Sequence, residues 1–329
     1  MLRQLLGLPL AAAARLRLAL YERGVLHRDQ LAGPVVSVGN LALGGRGKTP
    51  VVARVCEILR EEGHPVAVLS RGYKGSFRGD CLVVSDGTQV LASAAEAGDE
   101  PVMLARQLPG VVVAVGPRRA QVGREVEARF GPRVHVLDDG FQHLALHRDL
   151  DLVCLEASDL HDAPMPGGRL REPPSALARA DLLLVAAAPD APDRLFGPSL
   201  PAARVLRIHR RKIGLFTRAG AAAPMPLRPF LLAAIAEPER FRDVAAFHEV
   251  AGTAFFRDHH VFATPQLQRV AADARAAGAD AIVTTAKDEV RLPDGLDLGL
   301  PLLVLRIAVV IENEEVLRGH LRRVASRAA

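Results

Sequence analysis

VVSVGNLALGGRGKTPV, residues 35–51, is the stretch that decides how the rest of the chain folds. Residues 35–38 are a short apolar run that reads as a buried strand. A loop with four glycines follows (Gly39, Gly44, Gly45, Gly47), and Lys48-Thr49 then opens an apolar pattern of helical period. Strand, glycine-rich loop and Gly-Lys-Thr at a helix start is the order of a phosphate-binding loop. Glycines suit such a loop because backbone N–H groups must turn inward at dihedrals a Cβ would block. The helix start adds unpaired N–H groups and a partial positive charge. Lys48 is placed to reach the β- and γ-phosphates, and the Thr49 hydroxyl to hold Mg²⁺. The general pattern asks for glycine where this chain has Ala42. Only 4 of the 42 basic residues are lysines (Lys48, Lys74, Lys212, Lys287), so a lysine in this slot of an arginine-biased chain points to phosphate binding.

The whole chain sets the bounds. Its 329 residues, 49% of them hydrophobic, can bury a large core and build two domains. Tryptophan is absent and aromatics make up 4%, which argues against base stacking as a main theme. The net charge of +5 suits anionic partners, but the basic residues are scattered, so no nucleic-acid partner is expected. Three isolated cysteines (Cys56, Cys81, Cys154) give neither a disulfide framework nor a zinc site and indicate a reducing compartment.

Residues 1–26 read as an amphipathic helix whose apolar run is too short to span a bilayer, which takes about 20 residues. It either lies on a membrane surface, with Arg15, Arg17 and Arg23 near one end, or packs on the domain. After a helix near residues 49–62, apolar runs at 66–70, 111–115, 134–137, 150–155 and 182–185 read as strands buried on both faces. Helical patterns near 100–107 and 117–128 alternate with them. The expected fold is therefore α/β, a P-loop NTPase-type doubly wound, mostly parallel sheet, with sites at the carboxyl ends of strands. Charge rises in IHRRKIGLF and a proline-rich stretch follows (Pro224, Pro226, Pro229). The boundary is expected there: a membrane-associating helix at 1–26, a core domain at 27–215, and a smaller α/β domain at 216–329 closing over the cleft. That second unit takes strands at 230–235, 281–284 and 302–305 and a charged helix near 314–325.

Several constellations carry chemistry. VHVLDDGFQH sets Asp138 and Asp139 at a strand end, where a P-loop protein keeps its second magnesium-handling carboxylate; Asp139-Gly140 would also make a plain turn. Asp99-Glu100-Pro101 starts a helix, as a capping group or as chemistry. In FFRDHHVF, Asp258 precedes His259 and His260, which diverge on any regular element; a loop histidine tuned by a carboxylate and a solvated pair both fit. Ser70-Arg71-Gly72-Tyr73 follows a strand, and Arg119 and Arg171 stand near other strand ends, placed to bind phosphates or to cap helices.

VGNLALGGRGKTP, SRGYKG, GDEP, VLDDGFQH, GGRLREP, FRDHH and TTAKDEVRL occur in this order. Together they resemble the tetraacyldisaccharide 4'-kinase family of lipid A synthesis, whose own loop reads VGN-x-x-x-GG-x-GKT and so accommodates Ala42. The chain departs from the family at AAIAEPERF, with Ala234 and Ala236 where glycines are usual, and at Arg257 in place of proline.

The resemblance implies ATP-dependent phosphorylation of the 4'-hydroxyl of a glucosamine disaccharide bearing four acyl chains. It makes Asp99 the base, helped by His259. It places ATP on Asn40, Leu41, Ala42, Leu43, Gly44, Gly45, Arg46, Gly47, Lys48 and Thr49, with Glu172 at the adenine. Mg²⁺ falls to Thr49, Glu100, Asp138 and Asp139, and the cleft lining to Ser70, Arg71, Tyr73, Arg119, Gln142, His143 and Arg171. A lipid acceptor implies a peripheral position on the cytoplasmic face of the bacterial inner membrane. Asp99 and His259 lie 160 residues apart on either side of the boundary, so domain closure is expected to bring them together. The runner-up is a GTPase or metallochaperone-type switch. Thr285-Ala286-Lys287-Asp288 nearly matches the Asn/Thr-Lys-x-Asp sequence that reads guanine. A nucleotide-binding scaffold, which needs neither Asp99 nor His259, is a third reading.

Overall fold

The computed structural model of the chain describes residues 2–187 and 204–326. Its strands in chain order are β1 (Val35–Asn40), β2 (Val66–Ser70), β3 (Leu82–Asp86), β4 (Val112–Val115), β5 (Val134–Asp138), β6 (Leu150–Glu156) and β7 (Leu182–Ala186). There follow β8 (Val205–Thr217), β9 (Ala222–Ala223), β10 (Pro229–Ala233), β11 (Gly252–Phe255), β12 (Ala281–Thr285) and β13 (Leu302–Ile311). They form one continuous sheet in the order β11-β10-β12-β13-β8-β7-β6-β1-β5-β2-β4-β3, with β9 on β8. Pairing is parallel except at β3–β4, β8–β9 and β8–β13.

The valine-rich strands at the centre are buried along their whole length, as a parallel sheet covered on both faces requires. The helix Lys48–Glu61 turns Val51, Val52, Val55, Ile58 and Leu59 onto Val36, Val38, Val66 and Val68, so apolar packing sets the phosphate-loop helix against β1 and β2. The carboxyl ends of β1, β2 and β5 deliver Asn40, Ser70 and Asp138 to one edge of the sheet.

β8 differs from the sequence expectation. The charged stretch taken as a boundary is a 13-residue strand. Leu206, Ile208 and Leu215 are buried while the arginines and Lys212 between them are not, so a half-buried ribbon looks like a polar linker when read by composition. Through β7 it runs parallel with the first half, and through β13 antiparallel with the second. The strands of the two halves therefore run in opposite senses, and their carboxyl ends turn toward each other.

The expected break between residues 215 and 216 is thus not a break in the sheet. Nor does the closing helix Glu314–Ala325 pack with the second half: Leu317, Leu321 and Val324 enter the apolar cluster of β1, β2 and the helix Lys48–Glu61. Arg54 of that helix grips Glu314 with Nε at 2.8 Å and Nη2 at 2.7 Å. The second half keeps its own cores, around Phe230, Leu267 and Ile282 on one face and Leu231, Phe241 and Val283 on the other.

The N-terminal helix is two helices, Leu2–Leu6 and Leu8–Glu22, meeting at Gly7. A Cβ at Gly7 would stand 2.6 Å from the Pro164 carbonyl oxygen, so the junction rests on the body of the protein. Ala11 is buried, while Leu5, Leu6, Leu8 and Leu16 are exposed. One side of the helix pair packs on the domain, and the other presents leucines outward. Among the described residues, no helix is long and apolar enough to cross a membrane.

Candidate active site

Gly47 caps the helix Lys48–Glu61 at φ 75°, and Gly44 stands at φ 104°; both lie in the left-handed region that only glycine enters without cost. The loop is fastened from outside. Leu43 N–H donates to the Arg169 carbonyl at 2.8 Å, and Arg171 N–H to that of Leu41 at 2.7 Å. Ala42 is fully buried and pairs with Leu170, so the position needs a small apolar side chain and no left-handed backbone. Lys48 Nζ lies 3.1 Å from Asn40 Oδ1 and 3.4 Å from Asp139 Oδ1. Asn40 is itself held by donating to the Ala42 carbonyl at 2.7 Å. Arg46 is one of the loop residues that the resemblance assigns to ATP. Its guanidinium turns away to Glu156 (2.8 Å) and the fully buried Asp159 (2.6 Å), which leaves only its backbone to the loop.

Asp138 and Asp139 take different environments. Ser70 Oγ donates to Asp138 Oδ2 at 3.2 Å, while Asp138 Oδ1 is buried with no hydrogen-bond partner among the described residues. Burial, with the Glu100 and Asp139 charges, pushes the Asp138 carboxyl up to about 7 against the opposing pull of Lys48. Asp139 is also pushed up by burial, but Lys48 and Arg171 (Nη1 2.7 Å from Oδ2) outweigh this and hold it below the usual carboxylate range. A buried orphan oxygen within an acidic group suits a cation. Among the described residues no three acidic, histidine or cysteine side chains form a complete metal cage. Magnesium asks for none, since it rests on one or two carboxylates plus phosphate and water. Asp138 and Asp139, with the Glu100 charge beside them, fit that demand.

Asp99 opens the helix Asp99–Gln107, and His259 Nδ1 lies 2.8 Å from its Oδ2. The opposed halves of the sheet set them in contact in this structure. His259 stands at φ 62°, a left-handed conformation rare outside glycine and found at functional turns. Its ring meets Tyr73 edge-on, centroids 6.2 Å apart. Arg291 Nε is 3.5 Å from the same Asp99 oxygen, and Lys287 Nζ is 3.4 Å from His259 Nε2. Sequence reasoning gave Lys287 and Arg291 no part here. The lysine scarcity that singled out Lys48 was an available signal for Lys287. The same contacts do not favour the guanine-reading comparison, since Lys287 faces the histidine. His260 stacks on Phe256 at 4.7 Å instead of joining the site.

The remaining cleft residues form a basic wall. Arg119 is buried with its Nε unpartnered among the described residues, and burial together with Arg71 pulls its guanidinium down to about 10. Burial and the charges of Arg119, Arg148, Arg17 and Arg71 hold His143 down to about 4, so it is neutral at physiological pH. Gln142 Nε2 donates to the Asn40 carbonyl at 3.0 Å, and its own carbonyl accepts from Arg17 Nη1 at 3.2 Å, which ties the N-terminal helix to the phosphate loop. Beside Gly47 opens a cavity of about 510 Å³, walled by Glu156, Ser158, Ala187, Ile208 and Val244. Glu172 does not line it and is paired with Arg179 at 2.8 Å.

Fold and site together define a P-loop nucleotide-binding protein with a doubly wound α/β sheet. The sequence profile of LpxK, tetraacyldisaccharide-1-P 4'-kinase, matches residues 1–326. The tetraacyldisaccharide 4'-kinase of Anaeromyxobacter dehalogenans is 44% identical over 326 residues, covering 94% of this chain and 85% of the relative. That of Geobacter metallireducens is 41% identical over 308 residues, covering 87% of each. The crystal structure of LpxK from Aquifex aeolicus in complex with ATP superposes with a TM-score of 0.81 at 30% identity, over 99% of this chain and all of that one. The chain belongs to the tetraacyldisaccharide 4'-kinase family.

Proposed function

We propose that this protein transfers the γ-phosphoryl group of ATP to the 4'-hydroxyl of a tetraacylated glucosamine disaccharide. Family membership supports the reaction. The observation that carries the site assignment is the Asp99–His259 contact at 2.8 Å, a carboxylate oriented by an imidazole beside a phosphate loop. Asp99 accepts the hydroxyl proton as the hydroxyl oxygen bonds to the γ-phosphorus and the bond to the β-phosphate oxygen breaks. Phosphoryl transfer passes through a loose transition state, so positioning and charge neutralisation matter more than a strong base. Lys48 and the loop N–H groups meet the phosphates, and the nucleoside enters the cavity beside Gly47. Thr49, Asp138, Asp139 and Glu100 are the candidate holders of Mg²⁺, which neutralises phosphate charge when bound. Arg71, Arg119 and Arg171 form the cationic side of the acceptor cleft. Outward leucines of the N-terminal helix dock the protein peripherally on the cytoplasmic face of the inner membrane, where a four-chain lipid resides.

The test is nucleotide turnover with ATP or GTP, with and without the acylated disaccharide. Lipid-dependent consumption of ATP with phosphate appearing on the 4'-oxygen is the expected result. Lipid-independent turnover of GTP would return the protein to the switch class.

A further inference from the structure

Building on the proposed reading of Asp99 and His259, we propose that Lys287 is a positioning residue that selects the tautomer of His259 and so the direction of its hydrogen bond to Asp99. Lys287 belongs to TTAKDEVRL, the one quoted motif with no role in the reaction so far. Its backbone is held firmly. The neighbouring Asp288 is fully buried and accepts from Ala234 N–H with both oxygens at 3.2 Å, from Thr285 Oγ at 2.7 Å, and from Arg291. Ala234, one of the departures from the family, serves here through its backbone alone, so the missing glycine costs this anchor nothing.

From that anchor the Lys287 ammonium sits 3.1 Å from Asp258 Oδ1 and 3.4 Å from His259 Nε2. An ammonium has donors only, so the nitrogen facing it presents a lone pair. The ring proton then resides on Nδ1 and is donated to Asp99 Oδ2. The competing tautomer would donate from Nε2 to Asp258 Oδ2, 3.5 Å away. It would leave the Nδ1 lone pair against the Asp99 carboxylate at 2.8 Å, two acceptors face to face. Lys287 works against that arrangement twice, by donating to Nε2 and by engaging Asp258. With Arg291 also on Oδ2, Asp99 Oδ1 takes no hydrogen bond from the described residues and is left for the acceptor hydroxyl. A single pointed donor does this where the planar fork of arginine would not, which accounts for a lysine in so arginine-rich a chain.

The experiment uses the full-length protein labelled with ¹⁵N-histidine, with His259 assigned through His259→Asn. Long-range ¹H–¹⁵N spectra read which ring nitrogen carries the proton. In the unaltered protein Nε2 is expected unprotonated and Nδ1 protonated. Lys287→Met should shift His259 toward the Nε2–H form and lower kcat about tenfold with KM for ATP unchanged. Lys287→Gln, whose amide both donates and accepts, should fall between Lys287→Met and the unaltered protein in both. Retained thermal stabilisation by ATP shows that each variant is folded. Protonation of Nε2 in the unaltered protein, an unmoved tautomer in Lys287→Met, or a moved tautomer with undiminished kcat would each overturn the proposal. Absence of lipid phosphorylation by the unaltered protein would instead remove the functional reading and leave the spectra to judge the tautomer.

Discussion

His259 Nδ1 and Asp99 Oδ2 are 2.8 Å apart although 160 residues separate them. One comes from the turn after β11, the other from the first turn of a helix in the opposite half of the sheet. Groups in direct contact act as a unit, so their losses should not add. Asp99→Ala and His259→Ala are each expected to lower kcat on the order of 10²-fold or more. The double variant should be little worse than the poorer single one, with ATP affinity nearly intact in all three. A double-mutant cycle on kcat at saturating lipid decides the matter, and fully additive losses would show independent roles.

Lys48 ties the phosphate loop to the acidic centre through Asn40 and Asp139. Replacing it by alanine removes the cation that faces the transferring group. Turnover should fall on the order of 10²-fold or more. Undiminished lipid phosphorylation by Lys48→Ala would end the phosphate-loop assignment.

Asp138 supplies a pH dependence. Its carboxyl is raised by burial from its ordinary value of 3.8 to about 7 in the fold. An acid so raised costs stability once pH passes its unfolded value, and the full cost is present above its folded value. Metal-free protein should therefore lose stability as pH climbs from about 4 to about 7, through this group alone. Asp138→Asn can still accept from Ser70 and carries no charge. In metal-free buffer near pH 8 it should melt higher than the unaltered protein while losing activity. Thermal melts at acid and alkaline pH check this, and an Asn variant that melts lower at alkaline pH would contradict it.

The phosphate loop was legible in the chain because its demands are local: left-handed backbone at Gly44 and Gly47, and a lysine at a helix start. The central strands were legible because burial on both faces leaves unbroken apolar runs, as in VAVLS of β2. β8 was not, since a ribbon buried on one side interleaves arginines with Leu206 and Ile208. The Arg46 side chain escaped for a different reason. Loop chemistry dictates backbone shape there, while the direction of the guanidinium is set by Asp159, 113 residues away. Lys287 and Arg291 reach the Asp99–His259 pair only through the register of two opposed half-sheets, which no local pattern encodes.

The N-terminal helices allow a test that separates membrane docking from folding. Leu5, Leu6, Leu8 and Leu16 are between 50% and 62% exposed, so polar replacements there remove little from the core. Each would remove apolar area from a membrane contact, at roughly 25 cal/mol per Å². Deleting residues 1–24 is a blunter change, because it also takes away the seat of Gly7 on Pro164 and the Arg17 bond to Gln142. The expectation is that replacing all four leucines by glutamine lowers cosedimentation with anionic vesicles and raises KM for lipid presented in bilayers. The melting temperature and turnover of acceptor dispersed in detergent should stay close to those of the unaltered protein. The truncated protein should also leave the membrane fraction with its nucleotide site still folded. Undiminished pelleting of the four-leucine variant would place the anchor elsewhere. A lower melting temperature would mean that these leucines pack on the protein, which their exposure argues against.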